Sequence, residues 1–180
     1  MDFFKVLYRR RSIRDFSGRR ISETAVRKII AAARQAPSSM DGQPWEFIVV
    51  RDARMKERLA RFKNKWCPKE KQEYSADFMK GASVILVICS DKERSFSRWI
   101  ENGTIAATYV LLAASALGLG GTFMTGFNLK RPGQMRELRG LLRMPSRVNP
   151  VVMIPLGFPA GKPARKKLRK LVKLIHHERF

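Results

Sequence analysis

The chain has 180 residues, of which 44% are hydrophobic, and its 37 Lys and Arg against 15 Asp and Glu give a formal net charge of +22. This composition excludes a chain disordered throughout, and the length suits a single domain over residues 1–180. No secretory signal pattern and no stretch of about 18 apolar residues occur, so we expect a cytoplasmic protein without a spanning helix. The charge favours anionic partners and leaves the fold open.

Patterns in the first half of the chain alternate between helical and extended segments. Ser22 fits the N-cap position of a helix that Pro37 should stop, and Ile21 with Val26 fits a hydrophobic staple at its start. The predicted elements are helices over 2–8 and 23–36, a polar loop over 37–45, a strand over 46–50 and an amphipathic helix over 54–66.

The second half predicts buried strands around one long helix. This helix is apolar nearly all round from Ile105 to Leu117, which predicts burial on most sides, between two subunits. The glycines at 118–121 follow a helix rather than a strand, so they predict a helix C-cap and not a dinucleotide fingerprint. The predicted elements are a strand over 82–90, the long helix from 99 to these glycines, a strand over 121–127, a helix within 131–142 and a strand over 151–158. Without regular βαβ alternation, the fold class is α+β.

Most familiar catalytic patterns are missing from the sequence. It has no GxSxG elbow, Walker A motif, HExxH pair or zinc-ligand spacing, so no metal site is predicted. Cys67 and Cys89 lack a redox or metal spacing and are interpreted as packed or idle thiols in a reducing compartment. His176 and His177 are interpreted as surface histidines within a basic tail.

Two short segments remain as candidates for a binding site. "YRRRSIRDF" (8–16) combines four arginines with a serine, and guanidinium groups bind phosphate through paired hydrogen bonds. The alternative for this segment is a solvated helix end. "PSSMDGQPW" (37–45) places short polar side chains in a constrained loop, as a polyol would require, or it is a simple turn between helix and strand.

Together these segments resemble the nitroreductase family of FMN-dependent oxidoreductases. The resemblance rests on "RRSIRDF" (10–16) and "ARQAPSSMDGQPWEFIVV" (33–50), with weaker support from "LAASALGLGGTFMTGF" (112–127) and "VVMIPLGFPAGKPARKKLRKL" (151–171). It implies a mixed, mostly antiparallel sheet flanked by helices, in an intertwined homodimer that binds FMN at the subunit interface. It also implies that the basic C-terminal extension, about 159–180, reaches the partner subunit.

The implied activity is hydride transfer from NAD(P)H through flavin N5 to an electron-poor small molecule such as a nitroaromatic, quinone or enone. Reductant and acceptor would bind in turn, in a ping-pong mechanism, and FMN would carry the redox chemistry. The large positive charge leads us to expect a preference for NADPH, whose additional phosphate adds attraction.

The resemblance also assigns roles to individual residues. Arg10 and Ser12 would bind the FMN phosphate with Arg11 alongside, and Arg14 would lie near flavin N1, where a cation stabilises the charge gained on reduction. The loop that contacts the ribityl chain and ring, from the partner subunit, corresponds to Pro37, Ser38, Ser39, Met40, Asp41 and Gln43.

Further contacts are expected from three other regions. Thr125 and Gly126 match the strand end whose backbone amide faces flavin N5, and Ser75 matches a residue at the pyrimidine edge. Lys167 and Arg169 match a pair that reaches the phosphate, in a tail where Lys162, Arg165, Lys166 and Lys170 compete for that position.

The sequence departs from the family pattern at two places. Asp41 stands where the family usually has Asn, and an ionised carboxylate can only accept hydrogen bonds. The connection "DKERSFSR" (91–98) is short where larger members carry an additional helical segment, so the substrate side is expected to be open.

Two alternatives remain beside this prediction. Other branches of the family dehalogenate, oxidise or cleave flavin, and nothing in the sequence separates them. A nucleic-acid-binding protein would explain the charge, but the basic runs lack interleaved aromatic residues and no recognition motif is present, so no specific nucleic-acid partner is predicted.

Overall fold

An antiparallel sheet forms the centre of the chain, whose computed structural model describes residues 2–67 and 74–180. Its strands are β1 (Trp45–Val50), β2 (Val84–Asp91), β3 (Gly120–Gly121), β4 (Met124–Thr125) and β5 (Val148–Gly157). The order is β1-β2-β5-β3, and β4 also pairs with β5. All four strand pairings are antiparallel, and one isolated parallel bridge joins Ser12 to Gly121. The predicted α+β class with a mostly antiparallel sheet is confirmed.

Five α-helices accompany this sheet within the described residues. They are α1 (Phe3–Arg9), α2 (Glu23–Ala33), α3 (Ala53–Lys65), α4 (Trp99–Ala116) and α5 (Pro132–Leu141). The predicted N-cap of α2 is confirmed, because the Ser22 hydroxyl accepts a hydrogen bond from Ala25 N–H at 3.2 Å. Asp52 caps α3 in the same way, accepting from Met55 N–H at 2.8 Å. None of the described helices is both long enough and apolar enough to cross a bilayer.

The hydrophobic core lies on both faces of the sheet. Side chains alternate along β2, which is buried throughout. Val84, Leu86 and Ile88 pack with α2 and α4 on one face. Ile85, Val87 and Cys89 pack with α3 and α5 on the other face. The chain therefore forms three layers, as the continuous apolar run of β2 indicates for a strand covered on both sides.

Several predicted boundaries were wrong by a few residues. Helix α2 ends at Ala33 rather than 36, and α4 ends at Ala116, before the glycines. After α4, Gly118 has φ 72° and Leu119 N–H donates to Ala114 O at 2.9 Å, which is a Schellman ending and confirms the predicted C-cap. The strand predicted over 121–127 forms as β3 and β4, which pair with β5 in one register and are interrupted at residues 122–123.

Cys89 fits the interpretation of a packed thiol. It is fully buried in the core beneath α3, and this burial raises the pKa of its thiol to about 12. Cys67 lies differently, at the wall of a cavity described below.

Candidate functional site

The arginine segment, residues 10–16, lies along the edge of the sheet. Ile13 N–H donates to Gly121 O at 3.1 Å, which holds the segment against β3. Two further hydrogen bonds hold its end against the chain leaving β5: Ser17 N–H donates to Phe158 O at 2.9 Å, and Ala160 N–H donates to Asp15 O at 3.1 Å. The sheet therefore fixes the backbone from which the predicted phosphate-binding side chains project.

Two glycines make this close approach possible. A Cβ atom at Gly120 would lie 2.2 Å from Ile13 Cγ1, and one at Gly157 would lie 2.6 Å from the Phe16 ring atom Cδ1. Real Cβ atoms do not approach carbon atoms this closely, so a side chain at either position would displace the segment. These two glycines thus act through packing.

A basic cavity of about 540 Å³ lies between the arginine segment and the chain after β5. The sequence predicted a phosphate site here, and the structure brings Arg10, Ser12 and Arg14 to this one cavity. From the opposite wall, Lys162, Arg165 and Lys166 face them, with Asp15 the one carboxyl group among the described lining residues. This concentration of cations around a hydroxyl suits a phosphate group.

The remaining residues predicted at the phosphate are Lys167, Arg169 and Arg11. Lys167 and Arg169 are exposed outside the basic cavity, and Arg169 Nη2 lies 3.5 Å from Lys173 O. Arg11 lines the cavity, but its guanidinium donates to Tyr8 O at 2.6 Å and to Ala164 O at 3.2 Å. Arg11 therefore ties the end of α1 to the tail, and its role toward a phosphate stays a prediction, as do those of Lys167 and Arg169.

A second cavity, the aromatic cavity, opens on the other side of Arg14 and has a volume of about 310 Å³. Arg14 lines both cavities, and its guanidinium carbon lies 5.9 Å from the centre of the Phe78 ring. The described lining residues are Arg14, Lys63, Trp66, Cys67, Tyr74, Thr122, Phe123, Met124, Thr125, Phe127, Asn128 and Gln134. Aromatic walls and a cation at the junction suit a planar ring with a polar edge.

The strand end at 125–126 offers one outward-facing amide. Gly126 N–H donates to Val151 O at 2.8 Å, so this residue belongs to a hydrogen-bonded pair of the antiparallel ladder. Because such pairs alternate, the N–H and C=O of Thr125, opposite Val152, point away from β5. Of the two predicted amides, that of Thr125 therefore faces outward at the edge of the aromatic cavity.

The loop over residues 37–45 has a strained but well-supported backbone. Met40, Asp41 and Gln43 all have positive φ, at 51°, 52° and 45°. Such strain persists where surrounding contacts determine the backbone. Ser39 N–H donates to the Asn102 side-chain oxygen at 3.0 Å, and the Ser38 hydroxyl accepts from Gln43 N–H at 3.0 Å.

The short connection after β2 braces the same loop. A Cβ atom at Gly42 would lie 2.0 Å from the Arg94 carbonyl oxygen, and Arg94 Nε donates back to Gly42 O at 2.9 Å. Asp41, which stands in place of the usual Asn, accepts from the Gln43 side-chain amide at 3.0 Å. Met40 is 80% exposed and Pro37 is exposed, so the loop presents its tip outward.

The arginine segment and this loop lie at opposite ends of α4. The loop is anchored to Asn102 in the first turns of the helix, whereas the arginine segment contacts Gly121, just beyond its last turn. From Asn102 to Ala116 the helix rises about 20 Å. One chain therefore does not bring the two predicted halves of the site together.

Ser75 is exposed, and its hydroxyl accepts from Asp77 N–H at 3.1 Å. Its neighbour Tyr74 is the residue that lines the aromatic cavity, and burial raises the pKa of the Tyr74 hydroxyl while nearby Arg14 acts in the opposite direction. The predicted contact of Ser75 stays a prediction.

Sequence reasoning missed three residues of the aromatic cavity: Lys63 in the last turn of α3, and Trp66 and Cys67 just after it. Lys63 Nζ donates to Thr125 O at 2.9 Å, and burial lowers the pKa of this ammonium group while Cys67 acts in the opposite direction. One signal was present in the sequence, because a lysine four residues after the buried Leu59 interrupts the apolar stripe of the helix.

Comparison with known proteins identifies relatives over most of the chain. The family model for the nitroreductase family matches residues 7–158. A protein of Methanothermobacter thermautotrophicus named "Putative NADH dehydrogenase/NAD(P)H nitroreductase" is 35% identical over 170 residues, which cover 93% of this chain and 83% of that protein. An iodotyrosine deiodinase of Thermotoga neapolitana is 28% identical over 174 residues, covering 86% of this chain and 89% of that protein.

The solved structures agree with this assignment. An FMN-dependent nitroreductase from Clostridium difficile R20291 superposes with a TM-score of 0.83 at 30% identity, and the match covers 98% of this chain and 99% of that one. The family model spans well over half of the chain, and its range includes the arginine segment, the loop at 37–45 and the aromatic cavity. The chain therefore belongs to the nitroreductase family.

Proposed function

We propose that this FMN-dependent oxidoreductase transfers hydride from NAD(P)H to an electron-poor acceptor such as a nitroaromatic, quinone or enone. The observation that carries this proposal is the meeting of the basic and aromatic cavities at Arg14. A phosphate would suit the first cavity and a flat heteroaromatic ring the second. The nearby relative from Clostridium difficile is named an FMN-dependent nitroreductase, which supports the same cofactor.

The residues of both cavities fit the groups that FMN carries. Arg10 and Ser12, with Lys162, Arg165 and Lys166 opposite, would hold the phosphate through charge-assisted hydrogen bonds. Arg14 would place a fixed positive charge beside the ring edge, and the outward Thr125 N–H would donate a hydrogen bond to the ring. When bound, FMN supplies the two-electron redox chemistry, so no side chain has to act as a nucleophile.

The FMN ring would lie along the edge of the aromatic cavity formed by Arg14 and Thr125. Reductant and acceptor would enter the remaining space beside the ring in turn, which gives ping-pong kinetics. We also propose that NADPH is preferred to NADH, because the net charge of +22 attracts the additional phosphate. The cytoplasmic location and the single-domain organisation stay predictions.

We further propose a homodimer in which the loop over 37–45 of one subunit completes the cavities of the other. The separation of the two half-sites along α4 supports this arrangement, because a two-fold axis can place unlike ends of two equivalent helices side by side. Exposed apolar side chains support it too. On α1, Phe3, Phe4 and Tyr8 are 61%, 59% and 73% exposed, and the tail exposes Leu171 and Val172. Such clusters mark interaction surfaces.

The cofactor proposal is tested by the absorption spectrum of the purified protein and by the mass of any ligand released on heating. We expect oxidised-flavin bands and released FMN, followed by NAD(P)H-dependent bleaching that an acceptor reverses. Equal kcat/KM values for NADH and NADPH at low salt would contradict the NADPH preference. A colourless protein that FMN does not reconstitute would contradict the cofactor site itself.

Complementation between two variants tests the shared site. The cavity variant Arg10→Gln and the loop variant Ser38→Ala/Gln43→Ala are each expected to bind FMN weakly. Dimers that contain one chain of each would carry one intact site, so they should recover wild-type affinity at about one FMN per two chains. Differently tagged chains purified as mixed dimers would supply the sample. Mixed dimers with only weakened sites, or a chain that sediments as a monomer, would contradict the proposal.

Reductive dehalogenation is the second candidate, because the Thermotoga neapolitana relative is named an iodotyrosine deiodinase and covers most of this chain. Iodide release from iodinated phenols, measured beside nitroaromatic reduction with the same protein, separates the two activities.

A further inference from the structure

Lys63 carries a positive charge to the edge of the aromatic cavity. Lys63 projects from α3 and donates to Thr125 O at 2.9 Å. The N–H of Thr125 faces outward at the same edge of the cavity. An ammonium group has three N–H donors, and one of them is used in the bond to Thr125 O. Up to two donors remain for other groups in the cavity, among which is the nearby Cys67. The charge is therefore within reach of a ligand in this cavity.

The charges around the aromatic cavity are of one sign among the described residues that line it. Arg14 and Lys63 are cations, Tyr74 adds a hydroxyl donor, and no described lining residue is Asp or Glu. Neither Arg14 nor Lys63 forms an ion pair with a carboxylate of the described chain. An anion entering this cavity would meet these cations without displacing a carboxylate of the described chain.

The rest of the lining combines aromatic side chains with neutral polar ones. Trp66, Phe123 and Phe127 supply aromatic surfaces against which a ring of the acceptor can pack. The half-buried Lys63 beside aromatic walls favours a ligand that joins an anionic group to an aromatic ring, because charge pairing strengthens where water is excluded.

We propose that the aromatic cavity selects aromatic acceptors that carry a carboxylate, and that Lys63 binds this carboxylate. The inference rests on the proposed function and names the substrate class of the same site. Lys63 is then a specificity-determining residue: it orients the acceptor through its anionic group, and Arg14 remains beside the cofactor ring.

A second lysine on α3 provides a matched control. Lys56 Nζ donates to Ala82 O at 2.7 Å, and burial lowers the pKa of Lys56 just as it does that of Lys63. Both lysines therefore lose one charge and one hydrogen bond to a backbone carbonyl when replaced by methionine. Only Lys63 lines the aromatic cavity.

The test is a titration of the FMN-loaded protein with benzoate and with benzamide, followed by the change in flavin absorption. We expect Lys63→Met to weaken benzoate binding by about tenfold or more, as for a lost charge-assisted hydrogen bond, with benzamide changing less than about threefold. Lys56→Met should change neither ligand by more than about twofold, and Lys63→Arg should keep the preference for benzoate. The KM values of 4-nitrobenzoate and 4-nitrobenzamide should follow the same pattern.

The outcomes separate this inference from the proposal on which it rests. Equal weakening of benzoate and benzamide by Lys63→Met, or the same effect from Lys56→Met, would overturn the role of Lys63. A loss confined to NADH binding would overturn it too, because the anion would then belong to the reductant. A protein that binds no FMN would contradict the proposed function as well, whereas an FMN-loaded protein that binds both ligands alike contradicts only this inference.

Discussion

Gly120→Ala is expected to lower the free energy of unfolding by about 2 to 3 kcal/mol, as overpacking of a filled site does. The added methyl group would lie 2.2 Å from Ile13 Cγ1 and 2.7 Å from Ile13 Cβ, so rotation of the isoleucine tip cannot relieve the contact. Ile13 is itself buried and held by its hydrogen bond to Gly121. The arginine segment must therefore move, and FMN affinity should fall together with stability.

Urea unfolding of paired variants measures this effect. Ile13→Ala removes the side chain in contact, so the double variant Gly120→Ala/Ile13→Ala should lose less stability than the sum of the two single changes. Gly140→Ala is the control, because no atom beyond its chain neighbours and the backbone of its own helix lies within 4 Å of the added Cβ, and alanine is favoured over glycine inside α5. Equal midpoints for the Gly120 and Gly140 variants would show that the sheet edge adapts to the methyl group.

Arg10→Gln is expected to weaken FMN binding by about 10- to 100-fold, as for the loss of a hydrogen bond to a charged group. Arg10 lines the basic cavity opposite Lys162 and Arg165, whereas its neighbour Arg9 is exposed on the last turn of α1 and lies outside it. Both changes remove one positive charge at nearly the same place. Only the Arg10 change should remove a direct phosphate contact.

Riboflavin, which lacks the phosphate, makes this comparison specific. Binding of FMN and riboflavin to the apoprotein, followed by flavin fluorescence, should show a loss for FMN and little change for riboflavin in Arg10→Gln. Arg9→Gln should bind both ligands nearly as wild type does. If Arg10→Gln weakened both flavins to the same extent, the residue would be supporting the fold of the cavity and not the phosphate.

The elements of the core were predictable because local patterns and tertiary packing agree there. The continuous apolar run at 82–90 became β2 with a shift of its start to Val84, and Ser22 began α2 at the predicted residue. The C-cap after α4 followed from glycine alone. Boundaries failed where packing overrides propensity. Helix α2 stops at Ala33 although the next residues are good helix formers, because the chain must turn into the loop braced by Asn102.

In the candidate site, the sequence predicted the residues that lie close together along the chain but not the contacts between distant segments. Arg10, Ser12 and Arg14 are close in sequence, so their meeting at one cavity required only a fixed backbone. Lys63 comes to Thr125 across 62 residues, and no local pattern encodes that distance. The positive φ values of Met40 and Asp41 were equally inaccessible, because neither is glycine and the contacts that impose them come from other parts of the chain.

Helix α4 separates the two half-sites within each chain of the proposed dimer. Its 18 residues fix the distance from the loop at its start to the arginine segment at its end. Inserting one residue would lengthen it by about 1.5 Å and rotate one end by about 100° relative to the other. In a two-fold assembly that rotation would misalign the loop of each subunit with the cavity of its partner. In the proposed dimer, the alignment of both flavin sites therefore depends on the length of α4 more than on its surface.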